Sequence, residues 1–191
     1  MGKVQIAPTT MGLPMSCVVV SCYDVKRGAN MITLAYCAMV NFKPPMVAIS
    51  MRPSRYSYSL VKKAKDFVVN VPLAEQVRLV DLAGIVSGRS VDKFELAKLN
   101  KEPAARVKAP LIAEFPINME CKVLDTVDLP THNLIIGEVV ALHAEESLVD
   151  EKGQLGSEVA PFLMYYNRAY FAIGEVIGHF GFSKDSNDKA T

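Results

Sequence analysis

The sequence predicts a mainly β protein, a β-barrel with peripheral helices. Three observations carry that expectation. Six or seven runs read as strands against two main helices. The early strands are joined by short polar turns, as hairpins are. The strands do not alternate regularly with helices, as a doubly wound parallel sheet would require. Closing the sheet on itself would remove its exposed edges.

Each element has a local reason. "MSCVVVSCY", Met15 to Tyr23, is apolar and β-branched and reads as a buried strand. "DVKRG" follows as a hairpin loop ending in Gly28. "NMITLAYCAMV", Asn30 to Val40, reads as one long second strand, ended by Pro44 and Pro45, which cannot donate to a ladder. "MVAISM" is a third strand. A short helix is expected from about Ser57 to Lys65, capped by Ser54 or Ser57, with Leu60, Val61 and Ala64 on its buried face. "FVVNV" is a fourth strand. "LAEQVRLVDLAG", Leu73 to Gly84, places apolar residues at 73, 77, 80 and 83, with Gly84 as C-cap. A less regular polar middle follows. "INMECKVLD" and "HNLIIGEVVALHAEE" are two further strands, "VDEKGQ" a turn, and "YFAIGEVIGHFG" a last strand with an irregular end. The polar tail, residues 183–191, is expected to fray. The whole chain, 1–191, reads as one domain with its core at about 14–181.

Composition narrows the function. A net charge of +1 and the lack of a basic stripe argue against nucleic acid as partner. No apolar stretch is long enough to span a bilayer, and no signal peptide is visible, so a soluble, cytoplasmic protein is expected. Half of the residues are hydrophobic, which hints at extra buried surface such as a homodimer interface. Cys17, Cys22, Cys37 and Cys121 show no C-x-x-C spacing and read as reduced core thiols, with Cys37 facing either a ligand or the core. G-x-G-x-x-G, the P-loop, G-x-S-x-G and H-E-x-x-H are all absent. With only three histidines and scattered carboxylates, no metal site is expected, and any enzyme chemistry would come from a cofactor.

Three segments remain. From Arg52 to Lys62 lie three basic and five hydroxyl-bearing residues, at the start of the first helix. A helix N-terminus with hydroxyls and a guanidinium suits a phosphate. The same segment also reads as an ordinary Ser cap with solvated arginines. "SGRSVDKF", Ser87 to Phe94, offers a glycine loop and the compact charge of Lys93, or else a surface loop with an Asp-Lys pair. In "NMITLAY", Asn30 and Thr33 are polar on a strand otherwise made for burial, and Ala35 leaves room for a flat ring. Simple β-propensity explains Thr33 as well.

"N-x-x-T-x-A-Y", "PPMVAIS", "RPSRYSYSL", "FVVNV", "SGRSVDKF", "ECKV" and "HNLIIGEV", in this order from about Pro14 to Gly181, resemble the flavin reductase-like, FMN-binding split-barrel family, flavoredoxin-like branch. The resemblance implies a Greek-key split barrel, a homodimer, and one FMN per subunit near the dimer interface. It places Asn30, Thr33, Leu34 and Ala35 along the isoalloxazine ring. Ser50 and Arg52 match the strand end leading to the phosphate, and Ser54, Arg55, Tyr56 and Ser57 the phosphate turn. Ser87, Gly88 and Lys93 match the segment closing over the ribityl phosphate end. His132 matches a histidine beside the flavin or nicotinamide, and reads equally as a strand-end histidine bonded to backbone. Tyr36 stands where relatives often carry Trp. The implied function is an FMN oxidoreductase passing electrons from NAD(P)H to a flavin, ferric or protein acceptor. The alternatives are an FMN electron carrier reduced by a partner protein, and a ligand sensor or interaction module on the same barrel. No side chain is expected to be an obligatory acid or base.

Overall fold

The computed structural model describes residues 2–156 and 160–185. Strands are β1 Met15–Ser16, β2 Val18–Asp24, β3 Gly28–Leu34, β4 Cys37–Asn41, β5 Met46–Met51, β6 Asp66–Val71, β7 Lys101–Glu102, β8 Leu111–Ile112, β9 Ile117–Asp128, β10 Asn133–Ala144, β11 Leu163–Tyr166 and β12 Ala169–Ala172. Helices are α1 Tyr56–Ala64, α2 Val77–Ile85, α3 Lys93–Ala97 and α4 Phe182–Asp185. None is long and apolar enough to cross a membrane.

The main sheet has seven antiparallel strands in the order β3-β2-β6-β9-β10-β5-β4. Its two edge strands, β3 and β4, are consecutive in the chain and separated only by Ala35 and Tyr36. So short a link cannot span an open sheet, so the two edges are drawn together and the sheet closes.

The expected strand from Asn30 to Val40 is therefore two strands. The chain leaves the ladder with β2 at Leu34 and joins the ladder with β5 at Cys37. The bend is tied by hydrogen bonds from Cys37 N–H to the Ala35 carbonyl (3.1 Å) and from Ser50 N–H to the Tyr36 carbonyl (2.9 Å). Apolarity runs unbroken through both halves, so periodicity shows no break there.

The sheet is covered on both faces, which is why β2 is almost wholly apolar rather than alternating. Val18, Val20 and Cys22 point into the barrel with Ile49, Phe67, Val69 and Ile135. Cys17 and Val19 lie on the other side, with Met31, Val80, Phe94 and Ile112, beneath α2 and α3. The reduced-core reading holds for Cys17, Cys22 and Cys121, which are free and buried, while Cys37 is half-buried.

The helix caps differ from expectation. Arg55 is the N-cap of α1 and makes no side-chain cap bond, so neither Ser54 nor Ser57 caps it. Ser57 is inside the helix and buried, where its Oγ accepts from Asn30 Nδ2 at 2.7 Å. The buried face of α1 is Ser57, Tyr58 and Val61. Leu60 and Ala64 are only half-buried. Gly84 does not cap α2, since the helix runs on to Ile85 with Val86 as C-cap. Gly84 instead lets α2 lie close on β3: a Cβ there would stand 3.3 Å from Thr33 Cβ. The expected strand Met15–Tyr23 is broken at Cys17, and its first part, β1, joins β11 and β12 in a separate three-stranded sheet, where β12 overlaps the start of the expected last strand; β7, β8 and β11 have no strong pattern in sequence. The polar tail beyond residue 185 lies outside the described residues.

Candidate functional site

The bend between β3 and β4 forms one wall of a cleft of about 250 Å³. Thr33, Leu34 and Ala35 come from this wall, Ser50 and Arg52 from the end of β5, Arg55 from the start of α1, and His132 from the turn before β10. With Tyr36, also from the bend, eight residues singled out in the sequence thus meet in one place. Ile32, Met51 and Gly84 complete the lining, and sequence reasoning did not assign them to it. Gly84 reads in the sequence as a helix C-cap, which gives no sign of its place in the cleft wall. Two further cavities adjoin at Ala35 and Tyr36. One of about 370 Å³ runs toward Tyr165 and Tyr170, and one of about 500 Å³ toward Leu13 and Val40.

Two sets of main-chain donors stand open here. Ala35 and Tyr36 belong to neither ladder, and their N–H groups have no acceptor among the described residues. At the start of α1, the N–H groups of Tyr56 and Ser57 are likewise without an acceptor, as the first turn of a helix leaves them. No acid lies in that first turn. Arg52 and Arg55 are exposed and, among the described residues, pair with no carboxylate. The corner is therefore cationic and rich in unused donors.

His132 sits at the rim. Its Nδ1 is 2.9 Å from Thr131 Oγ1, and its ring meets Tyr36 edge-on with centroids 5.6 Å apart. Burial, and then the charge of Arg52, lower its pKa and so favour the neutral ring.

Other expected residues stand elsewhere. Asn30, Ser57, Gly88 and Lys93 are buried together, and none of them lines the cleft. Lys93 is not a surface-loop charge: it is 5% exposed, and its Nζ donates to the carbonyls of Met31 (2.9 Å) and Ala83 (2.6 Å). It clamps β3 to α2. Gly88 approaches Asn30, whose Oδ1 occupies the space of any Cβ. The Thr33 hydroxyl donates to the Val80 carbonyl of α2. Tyr56 turns away from the cleft, donating to Asp24 Oδ2 at 2.9 Å, with Arg89 over its ring. Ser87 is exposed, and its Oγ accepts from Arg89 N–H at 3.3 Å. Ser54 is exposed beside Arg55.

A model of the flavin reductase-like domain matches residues 10–174. Flavoredoxin of Desulfovibrio vulgaris (Miyazaki F) superposes with a TM-score of 0.88 and 28% identity, covering 97% of this chain and all of that one. An FMN-binding protein from Thermus thermophilus, solved with bound 1-cyclohex-2-enone, gives 0.78 at 26% identity over 94% of this chain and 98% of its own. An uncharacterised protein of Pyrococcus abyssi is 36% identical over 118 residues, 62% of this chain and 67% of that protein. With the closed sheet and the cleft at its bend, these matches settle the relationship: the chain belongs to the flavin reductase-like split-barrel family, on its flavoredoxin-like branch.

Proposed function

We propose that the protein is an FMN-binding oxidoreductase that passes electrons from NAD(P)H to a flavin, ferric or protein acceptor. The observation that carries this reading is the two guanidiniums, Arg52 and Arg55, with no acid partner among the described residues, beside the open N–H groups of α1 and at the edge of a cleft with both polar and apolar walls.

The donor set fits FMN. A phosphate needs positive charge and several donors, and no carboxylate lines this cleft to oppose it. A flat ring needs an apolar slot with a few oriented polar groups. Ala35 and Gly84 keep the walls low, Ile32, Leu34 and Met51 supply apolar surface, and the Ala35 and Tyr36 N–H groups supply donors. Arg52, Arg55 and the first turn of α1 would hold the phosphate, and the bend would hold the ring. When bound, FMN supplies a ring that accepts a hydride and releases electrons singly or in pairs. The chain's part is to fix the phosphate, orient the ring edge and limit water. In its neutral form His132 can hydrogen-bond a ring or carboxamide without adding charge. Asn30, Ser57 and Lys93 act one layer back, holding β3 against α1 and α2.

A homodimer is part of the proposal. Met39, Val40 and Phe42, on β4 and just beyond it, are 62%, 51% and 96% exposed, more apolar surface than one short segment leaves to water without a partner. Sedimentation at micromolar concentration tests this, and a monomer would remove it.

Saturation with FMN, gel filtration and an absorption spectrum test the cofactor. Arg55→Ala should weaken FMN about tenfold, the loss of one charge-assisted contact. A colourless wild type that rejects added FMN overturns the reading. The likeness to a flavoredoxin over nearly the whole chain favours a second reading, an electron carrier reduced by a protein partner. Steady-state oxidation of NADH and NADPH separates the two: turnover supports the reductase, and a yellow protein without turnover supports the carrier.

A further inference from the structure

On another face of α1, a cavity of about 340 Å³ opens that shares no residue with the cleft. Tyr23 and Val25, at the tip of the β2–β3 hairpin, form one wall, and Leu60, Ala64 and the ring of Tyr56 the other. Three ammonium groups ring it: Lys26 from the hairpin, Lys63 from α1, and Lys108 from the segment before β8. All three are exposed, and among the described residues none pairs with an acid. A neighbouring cavity of about 260 Å³ shares Asp24, Lys26 and Tyr56 and adds Arg27 and Arg89.

Asp24 is the one acid lining either cavity, and both its oxygens are engaged. Oδ1 accepts from Lys26 N–H at 2.9 Å, and Oδ2 from the Tyr56 hydroxyl at 2.9 Å. Arg27 is also committed, donating to the carbonyls of Gly88 and Val91. The cations that line the apolar cavity itself are therefore the three lysines, while Arg27 and Arg89, the latter over the Tyr56 ring, line its neighbour.

We propose that this cavity binds an amphipathic anion, an aromatic or medium-length alkyl carboxylate. Its hydrocarbon body lies between Tyr23, Val25 and Leu60, and its carboxylate faces Lys26, Lys63 and Lys108. Apolar walls with a charged rim suit that division. They do not suit a nucleotide, whose base and ribose need hydrogen-bond partners that engaged Asp24 does not supply. The site stands independently of the flavin reading. It is nonetheless joined to the cleft, because Tyr56 in its wall directly follows Arg55 in the other.

An NMR titration with 2-naphthoate tests it, with neutral 2-naphthamide as control, on the protein as purified and again after adding FMN. Flavin uptake is read separately by absorbance, so the two proposals fail separately. Saturable shifts are expected at the amides of Val25, Lys26, Leu60 and Ala64, unchanged by FMN. The amide should bind at least tenfold more weakly. Alanine at each lysine should weaken 2-naphthoate about threefold, the scale of one exposed charge pair. Val25→Glu sets a carboxylate at an exposed position in the cavity and should abolish binding. Shifts confined to residues 33–36, equal binding of the amide, or binding that survives Val25→Glu would each overturn the proposal.

Discussion

Asn30 Oδ1 lies where a side chain on residue 88 would have to go, inside the space of any Cβ. The same carboxamide donates from Nδ2 to Ser57 Oγ at 2.7 Å, so β3, α1 and the loop before α3 share one fixed group. Gly88→Ala must turn Asn30 and break that bond. A loss of about 1–3 kcal/mol in urea unfolding is expected, the usual cost of overpacking. Adding Asn30→Ala should recover part of it, so the double variant is less destabilised than the sum of the singles. Strict additivity would show that the contact is not the cause.

Lys93 gives a pH signature. Burial lowers its pKa to about 8, with Cys22 opposing and Arg55 adding to the fall. Between that value and the unfolded one, the unfolded chain holds a proton that the native chain has shed, so stability rises with pH across the window. From pH 7.5 to 10 the wild type should gain about 2 kcal/mol relative to Lys93→Met. Parallel stability curves for the two proteins would refute a depressed Lys93.

Glu120 gives the opposite sign. It is fully buried, and it accepts from the N–H groups of Ala105 (2.8 Å), Arg106 (2.6 Å) and Val107 (3.1 Å), with His143 Nε2 at 2.6 Å. Burial pushes its carboxyl up, but the Ala105 N–H, the His143 ring and the Arg106 N–H together outweigh burial and hold it below the usual range. Its stabilisation is therefore present above the unfolded pKa and is lost as pH falls through the lower folded value. Glu120→Gln should cost about 1–3 kcal/mol at pH 7 and flatten the acid limb of the stability curve. Amide exchange at residues 105–107 should quicken in the variant, and an unaltered rate there would exclude this anchoring role.

Thr33 and Tyr56 test the division between cleft and scaffold. Thr33→Val loses the hydroxyl bond to Val80 and should cost about 1 kcal/mol of stability, while FMN affinity stays within about threefold. Tyr56→Phe loses the bond to Asp24 and should behave alike. A larger fall in FMN affinity, measured by flavin fluorescence, would place the hydroxyl concerned on the ligand instead.

Much of this was legible beforehand. Strands Val18–Asp24, Met46–Met51 and Asp66–Val71 follow from β-branched runs between turn residues, and the sheet-forming character of the chain follows from their number. The segments of the cleft were legible too, because Arg52, Arg55 and Ala35 depart from what burial alone selects. The direction of side chains was not. Lys93 and Tyr56 look like surface groups in sequence, and only tertiary packing turns one onto two carbonyls and the other onto Asp24. The break at Ala35–Tyr36 was hidden for a related reason: hydrophobic pattern records burial, and both halves are apolar across it.

That break has a consequence for how a guest is held. A barrel stitched shut by its own continuous chain leaves a seam where two neighbouring main-chain N–H groups serve no strand, while the carbonyls of the same residues tie the bend. Those groups can engage a visitor and release it with no rung of either ladder undone. A guest held there would enter and leave with both ladders of the barrel wall intact.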